Sequence, residues 1–98
     1  MTISDIRRVH KAAGGYFFSR GAMRFFDSRV LRNCVLDGNM AYFITSEQFE
    51  GSNGMKWPRK YTVRVCNMET GDIDTVGDYQ AYVTVAGARA AIRRITGK

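Results

Sequence analysis

The chain reads as one α+β domain spanning residues 1–98: an antiparallel sheet of about four strands, built from two hairpins, with N- and C-terminal helices packed on one face. Three observations predict it. Tyr61, Val63 and Val65 alternate with Thr62, Arg64 and Cys66, the period-2 pattern of a half-buried strand. Met68-Glu69-Thr70-Gly71 follows as a turn in which Gly71 supplies positive φ, and Asp72 to Val76 returns beside it. Both chain ends carry apolar stripes at helical spacing behind Thr caps. Ninety-eight residues suffice for one domain and are too few for two. A 45% hydrophobic and 12% aromatic content supports a packed core.

Thr2 to Ala13 reads as the first helix. Thr2 caps it and Asp5 completes a capping box, placing a carboxylate at the positive helix end. Ile6, Val9, His10 and Ala13 form the buried stripe, Arg7, Arg8 and Lys11 the opposite side, and Gly14-Gly15 the stop. His10, the only histidine, has no catalytic or ligating partner nearby and reads as a packing residue. Tyr16-Phe17-Phe18 enters the core in extended form. Ser19 caps a short helix running to Asp27, with Met23 and Phe26 on one face and Arg20 and Arg24 as a basic edge.

Arg29 to Leu36 and Asn39 to Thr45 are strands, joined by Asp37-Gly38 as a two-residue type I′ turn. Met40, Tyr42 and Ile44 alternate with Ala41, Phe43 and Thr45, so both faces carry apolar side chains, as in a strand covered twice or open to a partner. Ser46 to Pro58 breaks the periodicity. Its Phe49, Met55 and Trp57 are either a lid on the core or a recognition element, which makes this loop, with Lys56, the first candidate for partner contact. Tyr79 to Val83 is a short extended segment. Thr84 then caps a final helix with a stripe of Val85, Ala88, Ala91, Ile92 and Ile95, arginines 89, 93 and 94 on its flank, and Gly97 at its end.

The net charge of +6 is unevenly spread. Residues 1–36 hold seven basic and two acidic side chains, residues 37–88 four and seven, and the last ten four basic and none acidic. Basic ends suit an anionic partner, either nucleic acid or an acidic protein surface. If the terminal helices lie side by side, Arg7, Arg8, Lys11, Arg89, Arg93 and Arg94 join in one basic surface. Aromatic residues 16–18, 25 and 26 interleave with Arg20, Arg24 and Arg29, a pattern shared by single-strand binders, though so small a domain needs its phenylalanines inside.

Enzymatic constellations are missing. There is no Ser-His or Cys-His pairing, no metal-ligand cluster and no phosphate loop, so no catalytic, cofactor or metal residue is assigned and the chain is read as non-enzymatic. Asp72 and Asp74, about 7 Å apart along a strand, read as a solvated face. Cys34 and Cys66 lack CxxC spacing and read as reduced, half-buried thiols of a cytoplasmic protein. Neither a secretory leader nor a membrane-length apolar run is visible, so no membrane partner is expected.

The segments GYFFSRGAMRFFDSRV, AYFITSEQF, RKYTVRV and TGDIDTVGDYQAYVT resemble a small family of phage and prophage proteins over residues 15–84. The resemblance implies an accessory protein of a mobile element acting stoichiometrically on host machinery. Such a protein binds and inhibits a host protein or ribonucleoprotein complex, in the manner of an anti-CRISPR inhibitor, and no catalytic residue carries over. The alternative is a basic, sequence-tolerant nucleic-acid binder whose helix arginines meet phosphates while Trp57 or Tyr42 stacks a base. Homodimerisation through an exposed strand edge fits either reading.

Overall fold

The computed structural model describes residues 1–24 and 27–98. Its elements run α1 (Ile3–Ala12), α2 (Arg20–Arg24), β1 (Arg29–Asp37), β2 (Met40–Glu47), β3 (Lys60–Asn67), β4 (Ile73–Thr75) and α3 (Val85–Thr96). The expected pairing of Met23 with Phe26, like the other expectations for residues 25 and 26, lies outside the described residues. The four strands form one antiparallel meander, ordered β1-β2-β3-β4. The α+β class and its four-stranded antiparallel sheet are therefore as the sequence predicts.

The placement of the helices is not. β2 carries apolar side chains on both sides, β3 adds Val63 to one side and Cys66 to the other, and each side has its own cover. On the front face Ala41, Phe43 and Cys66 pack against Ile6 of α1, with Phe17 and Phe18 beside them. On the back face Ile44 and Val63 pack against Ala88, Ala91 and Ile92 of α3. Neighbours in a strand point to opposite faces, so Phe43 and Ile44 cannot share a cover. A single-sided sheet would leave one of these apolar rows in water, at about 25 cal/mol per Å² of exposed apolar area. The terminal helices thus flank the sheet, and their arginines form two surfaces rather than one.

Helix ends follow local chemistry. The Thr2 and Asp5 side chains exchange hydrogen bonds with each other's backbone N–H groups, closing the capping box. These bonds hold the Asp5 carboxyl below its ordinary value. A depressed carboxylate stabilises at pH values above its unfolded pKa, and that contribution fades as pH falls through the folded one. The Thr84 side chain accepts from Gly87 N–H, and Gly97 ends α3 in the left-handed region, as predicted.

Three local details depart from expectation. The β1–β2 turn centres on Gly38-Asn39, closed by the Asp37–Met40 pair, one residue later than predicted. Only Gly38 has positive φ, which is the type II′ rather than the I′ pattern. β2 runs on through Glu47, and residues 49–57 are more regular than a loop. Trp57 N–H donates to the Phe49 carbonyl (2.8 Å), Gly51 N–H to the Met55 carbonyl (2.6 Å), and Glu50 bridges Lys56, making a short two-stranded arm. The Tyr79–Val83 segment contributes a single bridge, Tyr82 with Tyr61.

In β1, four residue steps separate Val30 from Cys34, while their β2 partners Thr45 and Phe43 are two steps apart. The extra length bulges from the sheet edge and exposes Arg32 and Asn33. Cys34 and Cys66 flank β2 on opposite sides. Two strand spacings, roughly 9–10 Å, put them beyond the ~7 Å Cα reach of a disulfide. Burial raises both thiols above their ordinary value, which keeps them protonated and slow to react.

α1 is tied to the far end of the sheet by His10. Nδ1 lies 2.5 Å from the Gly71 carbonyl, which can only accept, and Nε2 lies 3.1 Å from Phe17 N–H, which can only donate. The two partners together select the neutral Nδ1–H tautomer. His10, read from the sequence as a packing residue, is thus also a hydrogen-bonded clamp. Gly71 makes the clamp fit: its φ is +81°, and a Cβ there would stand 2.5 Å from Ala13 Cβ and 2.9 Å from the Val9 carbonyl. Gly71→Ala should therefore destabilise by about 2 kcal/mol or more, through backbone strain and overpacking together. Gly38→Ala, with positive φ but open space around it, should cost only the strain, about 1 kcal/mol. Urea unfolding midpoints of the two variants at constant m-value check this.

Candidate functional site

Sequence reasoning missed the densest cluster of polar groups. Thr45 and Glu47 on β2, Thr62 and Arg64 on β3 and Thr75 on β4 meet on the front face, where the sheet runs past α1. Glu47 and both of the first two threonines are fully buried. Arg64 donates through Nη2 to Glu47 Oε1 (3.0 Å), through Nε to Thr45 Oγ1 (3.1 Å) and through Nη1 to Thr75 Oγ1 (2.5 Å). The carboxylate also accepts from Thr45 Oγ1 (2.7 Å) and Thr62 Oγ1 (3.1 Å). Gln80 closes the edge: its backbone N–H donates to Thr62 Oγ1 and its side-chain amide to the Glu47 carbonyl.

Phe17 and Tyr79 each place a ring centroid 5.3 Å from the Arg64 guanidinium carbon, within cation–π range. The Tyr79 hydroxyl is pushed up to about 12, first by burial and then by the Glu47 charge, with Arg64 acting in the opposite sense. Among the described residues no buried side-chain polar atom lacks a hydrogen bond. Both carboxylate oxygens accept hydrogen bonds from within the cluster, and the guanidinium lies against two aromatic rings. The cluster is a structural lock that orients Phe17, Tyr79 and Gln80. Its sequence signal was the Thr-x-Glu and Thr-x-Arg spacing on adjacent strands, readable only once the register is known.

The residues named from the sequence fall into three places. Met55 and Trp57 stand on the arm with 64% and 62% of their surfaces in water, Lys56 exposed between them. Phe49, at the arm's base, has its ring 6.3 Å from that of Tyr79. Phe49 thus covers the Tyr79 end of the polar cluster, while Met55 and Trp57 stay outside the core. Gln48 holds the arm to the sheet by donating to the Trp57 carbonyl (3.2 Å).

On α1, Arg7 and Lys11 line a hollow with His10, Gly15, Tyr16, Phe18 and Ser19, while Arg8 turns outward to Asp5 (3.1 Å). On the back face Arg89 and Arg93 line a smaller groove with Lys98, which is tied to the Leu36 carbonyl and to Asp37; Arg94 is exposed outside it. Tyr42 is half-buried and packs against the back-face core. Arg59 is also committed: it grips Asp27 and donates to Ser46 Oγ.

Residues 2–93 match a family of unknown function, DUF7447. The chain belongs to DUF7447. No curated protein and no solved structure matches it. Among the described residues of this DUF7447 member, no group of three or more His, Cys, Asp or Glu is placed to hold a metal ion. No helix there is long and apolar enough to cross a membrane.

Two outcomes follow from the lock. Glu47→Ala should destabilise by about 3–5 kcal/mol, because it strands the Arg64 charge, whereas replacing both partners by apolar residues of similar volume should cost less. Chemical denaturation of the single and double variants measures this. Ultraviolet titration should show a phenol ionising at about 12 that Tyr79→Phe removes. Because that pKa is raised in the folded state, its stabilising contribution is complete below the ordinary value of 10.0 and is lost as pH climbs through 12.

Proposed function

We propose that this chain is a non-enzymatic binding protein whose arm at residues 49–57 seats Met55 and Trp57 in a pocket of a partner protein. The observation that carries the reading is the exposure of both side chains on a backbone that is already hydrogen-bonded. Folding alone would favour placing a Trp and a Met inside. Presenting them on an ordered arm gives a partner large apolar anchors with little ordering entropy left to lose. Lys56, between them, matches an acidic rim. The sheet edges fit a strand-paired homodimer less well: β1 is interrupted by its extra residues and β4 is three residues long.

In its more specific form the proposal places the protein in the cytoplasm of a host cell, as an inhibitor of a host protein or ribonucleoprotein complex of the anti-defence type. This setting follows from the resemblance to phage and prophage proteins. Affinity-tagged protein and a Met55→Ala/Trp57→Ala variant, mixed with host lysate containing active defence complexes, test it. The wild type should retain a defence complex that the variant loses, with binding to the purified complex weakened about 30-fold or more. The variant's stability should change by no more than about 0.5 kcal/mol. Equal recovery of the same complex by both proteins, or no complex with either, would overturn the reading.

A further inference from the structure

The hollow beside α1 has a chemistry of its own. Its volume is about 450 Å³, inside the range of small-molecule sites. Arg7 and Lys11, one helical turn apart, line it together with Tyr16, Phe18 and Ser19, the Arg7 guanidinium carbon lies 4.9 Å over the Phe18 ring, and no carboxylate is among the lining residues. Among the described residues neither Arg7 nor Lys11 forms an ion pair. The floor is held in place: His10 is fixed by its bonds to Gly71 and Phe17, and Gly15 lies so close over the imidazole that any Cβ there would collide with it. Tyr16, by contrast, leaves 79% of its surface in water, although Phe17 and Phe18 beside it turn inward.

We propose that this hollow binds a nucleotide unit, with the base laid on the Tyr16 ring and the phosphate held by Arg7 and Lys11. An aromatic face beside two cations that have no carboxylate partner among the described residues is the combination that single-strand binders use: stacking for the base, charge for the phosphodiester. The back-face groove is a weaker candidate. Its floor of Val35, Ile44 and Ile92 offers no ring to stack on, and at about 170 Å³ it is less than half the size. The site favours an unpaired base, because a base inside a duplex has both faces covered. A free nucleotide and a nucleotide within a single strand share this chemistry.

Fluorescence anisotropy with a labelled ten-residue oligothymidylate, the matched duplex as competitor, and AMP as a second competitor tests the proposal. The strand should bind at low salt, and Tyr16→Ala should weaken it roughly 5- to 150-fold, the range of one stacked base. Arg7→Ala with Lys11→Ala should lower the slope of log affinity against log salt by about 1.4, two phosphate charges on a single strand. Arg89→Ala with Arg93→Ala, across the sheet, should leave the dependence on Tyr16 unchanged. Displacement by AMP identifies the free nucleotide as the ligand, and resistance to AMP the strand. Absence of binding by both the labelled strand and AMP titrated directly, binding indifferent to Tyr16→Ala, or a duplex that competes as well as the strand would overturn the proposal.

Discussion

A central pair of strands that is apolar on both faces is the constraint on which this structure depends. β2 and β3 present Phe43, Ala41 and Cys66 to one side, Ile44 and Val63 to the other. Neither row can be left in water in a domain whose net stability is only a few kcal/mol. One end of the chain therefore closes the front, the other end closes the back, and the outer strands β1 and β4 extend the surface each helix must cover. The two aromatic residues after α1 are drawn into the front layer, where Phe17 and Phe18 meet Phe43 at centroid distances of 6.1 and 6.0 Å.

Where the front cover ends, polar chemistry takes over. α1 and its aromatic loop reach as far as Phe43, and the next residues on that face, Thr45 and Glu47, are polar yet buried. Arg64 is what makes this tolerable, because its donors and the threonine hydroxyls together account for the carboxylate. Such a cluster stabilises less than an apolar core of equal volume, but it punishes any slip of β3 against β2. A one-residue shift would turn Arg64 to the back face and leave Glu47 buried alone. The lock thus secures register across a connection too long for a tight turn to do so.

Features set by nearest neighbours were legible in the sequence. The Thr2–Asp5 box, the caps at Thr84 and Gly97, the positive φ of Gly71 and the sides taken by Ile73 and Val76 all depend on residues a few positions apart. What escaped depends on distance along the chain. The His10 partner at Gly71 lies 61 residues away, and the Arg64–Glu47 pair spans 17. Glu47 was also disguised: a charged residue after Ser46 reads as the start of a loop, and only its partner explains why the strand continues. The two-sided pattern of β2 was visible, but choosing the faces for the helices required knowing which row each stripe would meet. Of the residues singled out from the sequence, Met55, Trp57 and the helix arginines lie at the surface, whereas the meeting of Tyr16 with Arg7 and Lys11 in one hollow is a product of the turn at Gly14-Gly15.

The extra residues in β1 bear on how chain length can vary here. Val30 and Cys34 both face the front, and Leu31 and Val35 both face the back, so alternation survives the bulge intact. That holds because the surplus over β2 is two residues, one full period of a strand. A surplus of one would keep Val30 and Leu31 on these faces only by putting two consecutive side chains on the same side, as a single-residue bulge does. A surplus of two lets the edge carry extra chain with every side chain of β1 still alternating.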